Sequence, residues 1–294
     1  MIVAIRGGLG NQLFQAAFAQ YLKLQGNEVY LDTRDYPVHD RIYMLERCGF
    51  DFPVATPMHC EQALWRAKTK AGRISHKALA RILKKKTFPG MVREPHKWHF
   101  SPELAHYPDL SYFDGYWMSY SYAEEGKCQF PFVHTPPPET LKIWEERLQA
   151  PHSVAVHIRR GDYAENAAIR KDYFVCDLDY FHRAMQQLTE KIPSCTFTLF
   201  SDDPAYIASQ NWAPFDVKIL PDFPEVGDEQ IMRLFSKAHH QIISNSTYSW
   251  WGAFLNDRAG KQVFAPDHWR TNMPSHSLQG HMLPPEWTLI PTTG

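Results

Sequence analysis

Between residues 153 and 265 short apolar runs alternate with longer amphipathic ones, and each apolar run stops at a polar or charged cluster. The pattern predicts strands at 153–159, 195–201, 217–221, 241–245 and 262–265. Helices are predicted between them at about 177–192, 203–211, 226–240 and 247–258. Strand–helix alternation of this kind leaves one economical solution, a parallel sheet wrapped by helices. The strand ends then run into Arg159-Arg160-Gly161-Asp162, Ser201-Asp202-Asp203, Pro221-Asp222, Asn245-Ser246-Thr247 and Pro266-Asp267-His268. In open parallel sheets the ligand crevice lies outside the strand carboxyl ends, so five polar clusters at that edge predict a binding site.

The first thirty-two residues repeat the theme: a strand at 1–6, a glycine turn Gly7-Gly8-Leu9-Gly10, a helix over 11–25 and a strand at 28–32. Glycines ahead of a helix N-terminus, here Gly8 and Gly10, let backbone N–H groups approach an anion. Asn11 and Gln12 follow, and the Asn11 amide can reach a sugar hydroxyl or a phosphate. A dinucleotide fingerprint would sit here, with Asp32 as its acidic residue, but Leu13 replaces the third glycine, which argues against a NAD enzyme. Residues 33–135 are rich in aromatics and histidine and show few clear strands. Trp98-His99-Phe100 and Tyr112 to Trp117 suit either sugar stacking or core packing. Pro136-Pro137-Pro138 then marks a linker, dividing the 294 residues into domains 1–138 and 139–294.

A buried strand that delivers Arg159 and Arg160 to one point calls for an anionic receiver. Guanidinium forks match phosphate oxygens bidentately, so a diphosphate is the first candidate and a structural salt-bridge corner the alternative. Arg160-Gly161-Asp162 at a buried strand end does not suit a cell-adhesion motif. The hydroxyls of Ser246 and Thr247, at a strand-to-helix junction, either cap the helix or donate to a phosphate. Asp202 and Asp203 either organise the site and help recognise a nucleotide, or cap the next helix. Asp177-Leu178-Asp179 has the look of a metal-holding D-x-D, yet it precedes an amphipathic run where carboxylates suit a helix N-terminus.

With a formal net charge of −1 the chain has no global attraction for nucleic acid. Its five cysteines are scattered without C-x-x-C spacing, as expected of reduced thiols in a cytosol. Met1 leads straight into a strand and no apolar run reaches membrane-spanning length, so a cytoplasmic protein is expected. One segment departs from the average: residues 66–86 hold nine Lys/Arg and no Asp or Glu. A basic amphipathic helix there would either lie on an anionic membrane face or present a solvated surface.

Four segments together, Gly7 to Gln15, His157 to Tyr163, Ser201-Asp202-Asp203 and Asn245 to Gly252, resemble the bacterial alpha-1,2-fucosyltransferases of glycosyltransferase family 11, in that family's order. The resemblance implies an α/β enzyme of GT-B type, two Rossmann-like domains facing across a cleft, with the N-terminal domain presenting acceptor and the C-terminal domain binding donor. It implies inverting transfer of L-fucose from GDP-fucose to the 2-hydroxyl of a terminal galactose on a glycan that can be lipid-linked, with no metal or other cofactor. By the same resemblance Arg159 would hold the donor diphosphate, and His157, Ser246 and Thr247 would contact the GDP moiety. Asn11 matches an asparagine that more distant fucosyltransferases use at the sugar or phosphate. Some of those relatives carry an Asp for guanine near His239 or His240, where this chain has histidine. Asp162 is the expected base, with Glu165 second. The alternatives are transfer of another GDP-deoxyhexose, or nucleotide-sugar binding without catalysis.

Overall fold

The computed structural model describes residues 1–36, 41–68, 90–126, 130–161, 172–173 and 176–292. Asp162, Glu165, Cys128 and most of the basic run 66–86 lie outside the described residues. The chain forms two compact units, Met1–Phe130 and Pro131–Gly294. The division falls ahead of the triple proline, because residues 131–135 pack within the second unit. Val133 offers its carbonyl to the Lys237 ammonium at 2.9 Å, and Phe132 is buried.

In the first unit β1 (Ile2–Ala4) is followed by α1 (Leu9–Leu24), β2 (Tyr30–Asp32), α2 (Pro57–Lys68), β3 (Met91–Arg93), β4 (Tyr112–Asp114) and α3 (Tyr120–Glu125). The four strands form one parallel sheet in the order β2-β1-β4-β3. The β1–turn–α1–β2 prediction is met within a few residues at each end. β3 and β4 lie in the stretch where the sequence offered few strand signals. Three residues are too few to show a period of two. The aromatics around β4 serve the core: Phe18 stacks on Trp117 with centroids 4.2 Å apart, and Phe113 and Tyr122 meet Phe18 edge-on. Leu13 is fully buried where a dinucleotide fingerprint needs glycine.

The second unit runs α4 (Lys142–Gln149), β5 (Ser153–Ile158), α5 (Leu178–Lys191), β6 (Thr196–Ser201), α6 (Pro204–Ala208), β7 (Val217–Ile219), α7 (Asp228–Ser236), β8 (His240–Ile242), α8 (Thr247–Phe254) and β9 (Val263–Pro266). A short antiparallel pair, β10 (His268–Arg270) with β11 (Met273–Pro274), precedes a last strand, β12 (Thr288–Ile290). Six strands make a parallel sheet in the order β12-β9-β8-β5-β6-β7. Every strand and helix expected between 153 and 265 is present. α6, α7 and α8 stop a few residues earlier than predicted, and β10, β11 and β12 were not anticipated.

Alternation along β5 explains how it can be central. Val154, Val156 and Ile158 face one way, onto Tyr180, Phe181, Ala184 and Leu188 of α5. His157 faces the other way, against Phe235 of α7 and Tyr248 of α8. A sheet covered on both faces is read as a near-continuous apolar run, which is what 153–158 shows. On the α7/α8 side Trp250 and Trp251 are fully buried, and Trp250 lies flat on Phe254 at 4.8 Å. Gly252 lets the helices close, since a Cβ there would come within 2.5 Å of the Phe235 ring. Below the sheet Arg233 forks onto buried Glu145 through two bonds of 2.6 and 2.9 Å, joining α7 to α4.

Candidate active site

In the six-stranded sheet the strand order reverses at β5: β6 and β7 build outward on one side, β8 and β9 on the other. The carboxyl ends of β5 and β8 therefore diverge, and such a switch point is where open α/β sheets bind ligands. The β5–β8 register, Val156 against Ile242, carries Ile158 and Arg159 alongside Ser244. The Ser244 hydroxyl donates to the His157 carbonyl at 2.6 Å and accepts the Arg159 backbone N–H at 2.9 Å. This single side chain ties the two diverging strand ends together. It was not singled out from the sequence, because its role depends on inter-strand register.

On the other flank β6 delivers Asp202. Its Oδ2 lies 2.7 Å from Arg159 Nη1, and its Oδ1 accepts the Arg160 backbone N–H at 2.8 Å. Asp202 thus positions both arginines. Gly161 is required by this arrangement: a Cβ there would sit 2.4 Å from Asp202 Oδ2. Arg160 lies over the Tyr206 ring, 3.3 Å from its centroid, and its Nε is 3.4 Å from Asp203. Asp203 accepts the Tyr206 N–H at 3.0 Å and so caps α6. Asp177 likewise caps α5, through the Tyr180 N–H at 2.6 Å, which is the capping alternative of the D-x-D segment.

His157 is buried, and its Nδ1 makes no hydrogen bond in the structure. Burial, with Arg159 nearby, lowers its pKa to about 3, so the imidazole is neutral at physiological pH. A buried polar atom without a partner is costly and calls for one. Ser246 stands at the N-cap of α8 without making a side-chain capping bond, which leaves its hydroxyl for other work at the helix N-terminus, beside Thr247. Asn245, by contrast, is buried and donates to the Trp269 carbonyl at 3.1 Å, tying the loop to β10. The Arg159 guanidinium, the N-terminus of α8, the Ser246 hydroxyl and the unpartnered imidazole nitrogen of His157 thus lie at the carboxyl ends of β5 and β8, while the Arg160 guanidinium is held over Tyr206 and beside Asp203. That set suits an anion with an attached polar group. His239 and His240 are not among them. They lie at the amino end of β8, where the His239 ring contacts the Gln149 carbonyl and His240 Nδ1 takes the Gln262 N–H at 3.0 Å.

In the first unit the glycine turn is built as expected at its start. Gly7 has φ +81°, open to glycine at little cost, and a Cβ there would strike the Asn11 amide nitrogen at 2.6 Å. Gly8 is the N-cap of α1, and Asn11 is half-buried in its first turn. Gly10 is buried inside the helix. Gln12 is also buried and its amide is engaged within the unit, donating to the carbonyls of Gly7 and Ile42 and accepting the Met44 N–H. Gln12 therefore holds the turn in shape.

These features place a candidate anion-binding strand edge on a parallel α/β sheet. The chain is 28% identical over 280 residues to the alpha-1,2-colitosyltransferase of Escherichia coli, covering 92% of each chain. Over 170 residues it is 26% identical to the galactoside 2-alpha-L-fucosyltransferase Sec1 of Mus musculus, covering 51% of this chain and 46% of that protein. The fucosyltransferase NodZ from Bradyrhizobium superposes over 86% of this chain and 91% of its own, at 14% identity and a TM-score of 0.41, a likeness too loose to bear on the chemistry. Glycosyl transferase family 11 matches residues 143–290, and the chain belongs to that family. It is a glycosyltransferase. Among the described residues no helix is long and apolar enough to cross a membrane.

Proposed function

We propose that this glycosyltransferase moves L-fucose from GDP-fucose to the 2-hydroxyl of a terminal galactose, with inversion and without a metal ion. The observation that carries the reading is the Arg159–Asp202–Ser244 arrangement at the switch point between β5 and β8, set beside the neutral, unpartnered His157. As the glycosidic C–O bond breaks, negative charge grows on the leaving diphosphate. Guanidinium and N–H donors fixed in advance stabilise that charge more in the transition state than in the ground state. In this reading Arg159 takes the role a divalent cation plays elsewhere. Arg160, Ser246 and Thr247 add donors, His157 supplies a hydrogen bond to the nucleotide part, and Asp202 holds the arginines. The second unit takes the donor, the first presents the acceptor, and Asn11 serves the sugar or phosphate. Inversion needs the acceptor hydroxyl to attack opposite the diphosphate. Asp162, with Glu165 second, is the base we assign from sequence.

The test is product analysis after mixing the protein with GDP-fucose and lactose in excess EDTA. A fucosyl-alpha-1,2-galactoside supports donor, linkage and metal independence together. Donor binding or hydrolysis without transfer rejects the galactoside acceptor, and failure to bind GDP-fucose rejects the reading. One observation favours a second donor: a relative that covers 92% of the chain is named as an alpha-1,2-colitosyltransferase, for a different sugar. Competition between GDP-fucose and other GDP-deoxyhexoses separates the two. We also assign the basic run 66–86 to anionic lipid at the membrane face, where a lipid-linked acceptor would be met. Absence of binding to anionic vesicles at low salt removes that assignment.

A further inference from the structure

Asp267 and His268, at the carboxyl end of β9, form a built side-chain pair to which the donor reading gives no role. His268 Nδ1 lies 3.0 Å from Asp267 Oδ1. The same oxygen accepts the Thr292 backbone N–H at 2.9 Å and the Thr292 hydroxyl at 2.8 Å, so the carboxylate is fixed from beyond β12. Burial pushes the Asp267 carboxyl up, but the bonds from His268 and Thr292 outweigh it and hold it below the ordinary carboxylate range. The backbone is tied as well: the Asp267 N–H donates to the Ile290 carbonyl at 2.9 Å, and the Asp267 carbonyl takes the Ser275 N–H at 2.6 Å. The His268 side chain is 40% exposed, so a ligand can reach it.

The pairing determines what the ring can bind. A neutral imidazole whose Nδ1–H points at a carboxylate carries its lone pair on Nε2. That nitrogen accepts and does not donate, which suits a hydroxyl and does not suit a phosphate oxygen. Position narrows the ligand further. β9 runs beside β8 with Ile242 against Phe264, which carries the two strand ends, Ser244 and Pro266, to one level. The Asn245 amide crosses the same gap to the Trp269 carbonyl at 3.1 Å. Neighbouring strands lie about 4.8 Å apart, so the end of β9 is one spacing from that of β8 and two from that of β5. On the opposite flank of β5, Asp202 and Asp203 are engaged with the arginines and with α6.

We propose that His268 is a specificity-determining residue for the donor sugar, its Nε2 accepting a hydrogen bond from one ring hydroxyl of the transferred deoxyhexose. The proposal rests on the donor reading above for the nucleotide and for the identity of the sugar. A nucleotide sugar is linear: nucleoside, diphosphate, sugar. With the nucleoside against His157 and the diphosphate at Arg159 and the N-terminus of α8, the sugar extends toward the end of β9. Phosphate contacts cannot tell one deoxyhexose from another, whereas a group built to bond a hydroxyl rejects the analogue that lacks it.

The test is calorimetric titration of the full chain with GDP, GDP-fucose and GDP-fucose analogues lacking the 2-, 3- or 4-hydroxyl. Wild type is compared with His268→Ala and with His268→Gln, which keeps an acceptor oxygen. Should the alanine variant melt early, His268→Phe retains the bulk of the ring and carries the same comparison. We expect wild type to bind one of the three analogues about tenfold more weakly than GDP-fucose, the worth of one hydrogen bond. In His268→Ala the affinity for GDP-fucose should fall to that of this analogue, whose own affinity stays put, and GDP should bind as before. His268→Gln should recover part of the loss. Equal affinity of wild type and His268→Ala for GDP-fucose overturns the contact. A parallel loss for GDP overturns it too, because the ring then meets the nucleotide and not the sugar. Failure of the functional reading looks different: wild type binds no GDP-fucose, or discriminates among the analogues through His268 yet yields no fucosylated galactoside.

Discussion

The Asp202 carboxylate and the Arg159 guanidinium meet at 2.7 Å, and the same carboxylate holds the Arg160 backbone N–H at 2.8 Å. One acidic side chain from β6 therefore sets the direction of both cations delivered by β5. This joins two statements that the residues alone leave separate, a pair of arginines at a strand end and a pair of aspartates at its neighbour. The two aspartates divide the labour, since Asp203 spends its carboxylate on the N-terminus of α6.

Replacing Arg159 should leave folding intact, because its side chain is 24% exposed and lies at the sheet edge. Arg159→Ala should abolish transfer and weaken GDP binding by at least about tenfold, the worth of a charge-assisted hydrogen bond. Calorimetric titration with GDP, alongside a thermal melt, measures both. Wild-type turnover in this variant would refute the diphosphate clamp.

Gly161→Ala tests the Asp202 geometry without touching a charge. The new Cβ would overlap Asp202 Oδ2, so either the carboxylate or the strand end must move. A displacement near 1 Å at a positioning group costs about 10²-fold in rate. Steady-state kinetics should show kcat falling while Tm stays near wild type. Unchanged kcat would mean that the arginines do not depend on Asp202.

Stability should fall on acidification. His157 has an ordinary pKa of 6.5 that burial lowers to about 3 in the fold. The unfolded chain therefore takes up a proton below pH 6.5 that the folded chain refuses. This contribution is complete above pH 6.5 and is lost as pH falls toward 3, with a limiting slope of about 1.4 kcal/mol per pH unit. His240, lowered to about 4 mainly by burial, acts in the same direction. Urea midpoints between pH 7.5 and 5 measure the slope. His157→Gln should flatten it, and an unaltered slope in that variant would assign the loss elsewhere.

Glu145 and Arg233 form a buried pair, with side chains 10% and 4% exposed. Glu145→Ala should destabilise the protein by about 3 kcal/mol, because it strands a buried guanidinium. The double variant Glu145→Leu with Arg233→Met should recover much of that loss, since no buried charge remains. Denaturant melts of the three proteins decide the matter. A double variant as unstable as the single one would mean that the pair contributes packing that apolar groups cannot replace.

The legible parts of this protein are those whose cause is local. The alternation between 153 and 265 specified five strands and four helices, because a strand buried on both faces must be apolar throughout and a covering helix must be amphipathic. The glycine turn was legible for a similar reason, as Gly7 has a left-handed backbone that side chains resist. The stretch holding β3 and β4 was not, since each strand is three residues long and draws its stability from neighbours remote in sequence. The Gln12 amide bonds the backbone of Gly7, Ile42 and Met44, and the Asn245 amide bonds the Trp269 carbonyl. An amide that bonds backbone cannot be told by residue type from one that bonds ligand. Ser244 was not marked as a site residue, because its bonds to His157 and Arg159 depend on the register between β5 and β8.

The sequence by itself thus determined the layered α/β architecture and the strand ends at which chemistry would gather. Tertiary structure decided which polar groups bond to one another within the protein. Hydrophobic periodicity is written along the chain, whereas hydrogen-bond pairing depends on register between strands such as β5 and β8, which meet only on folding.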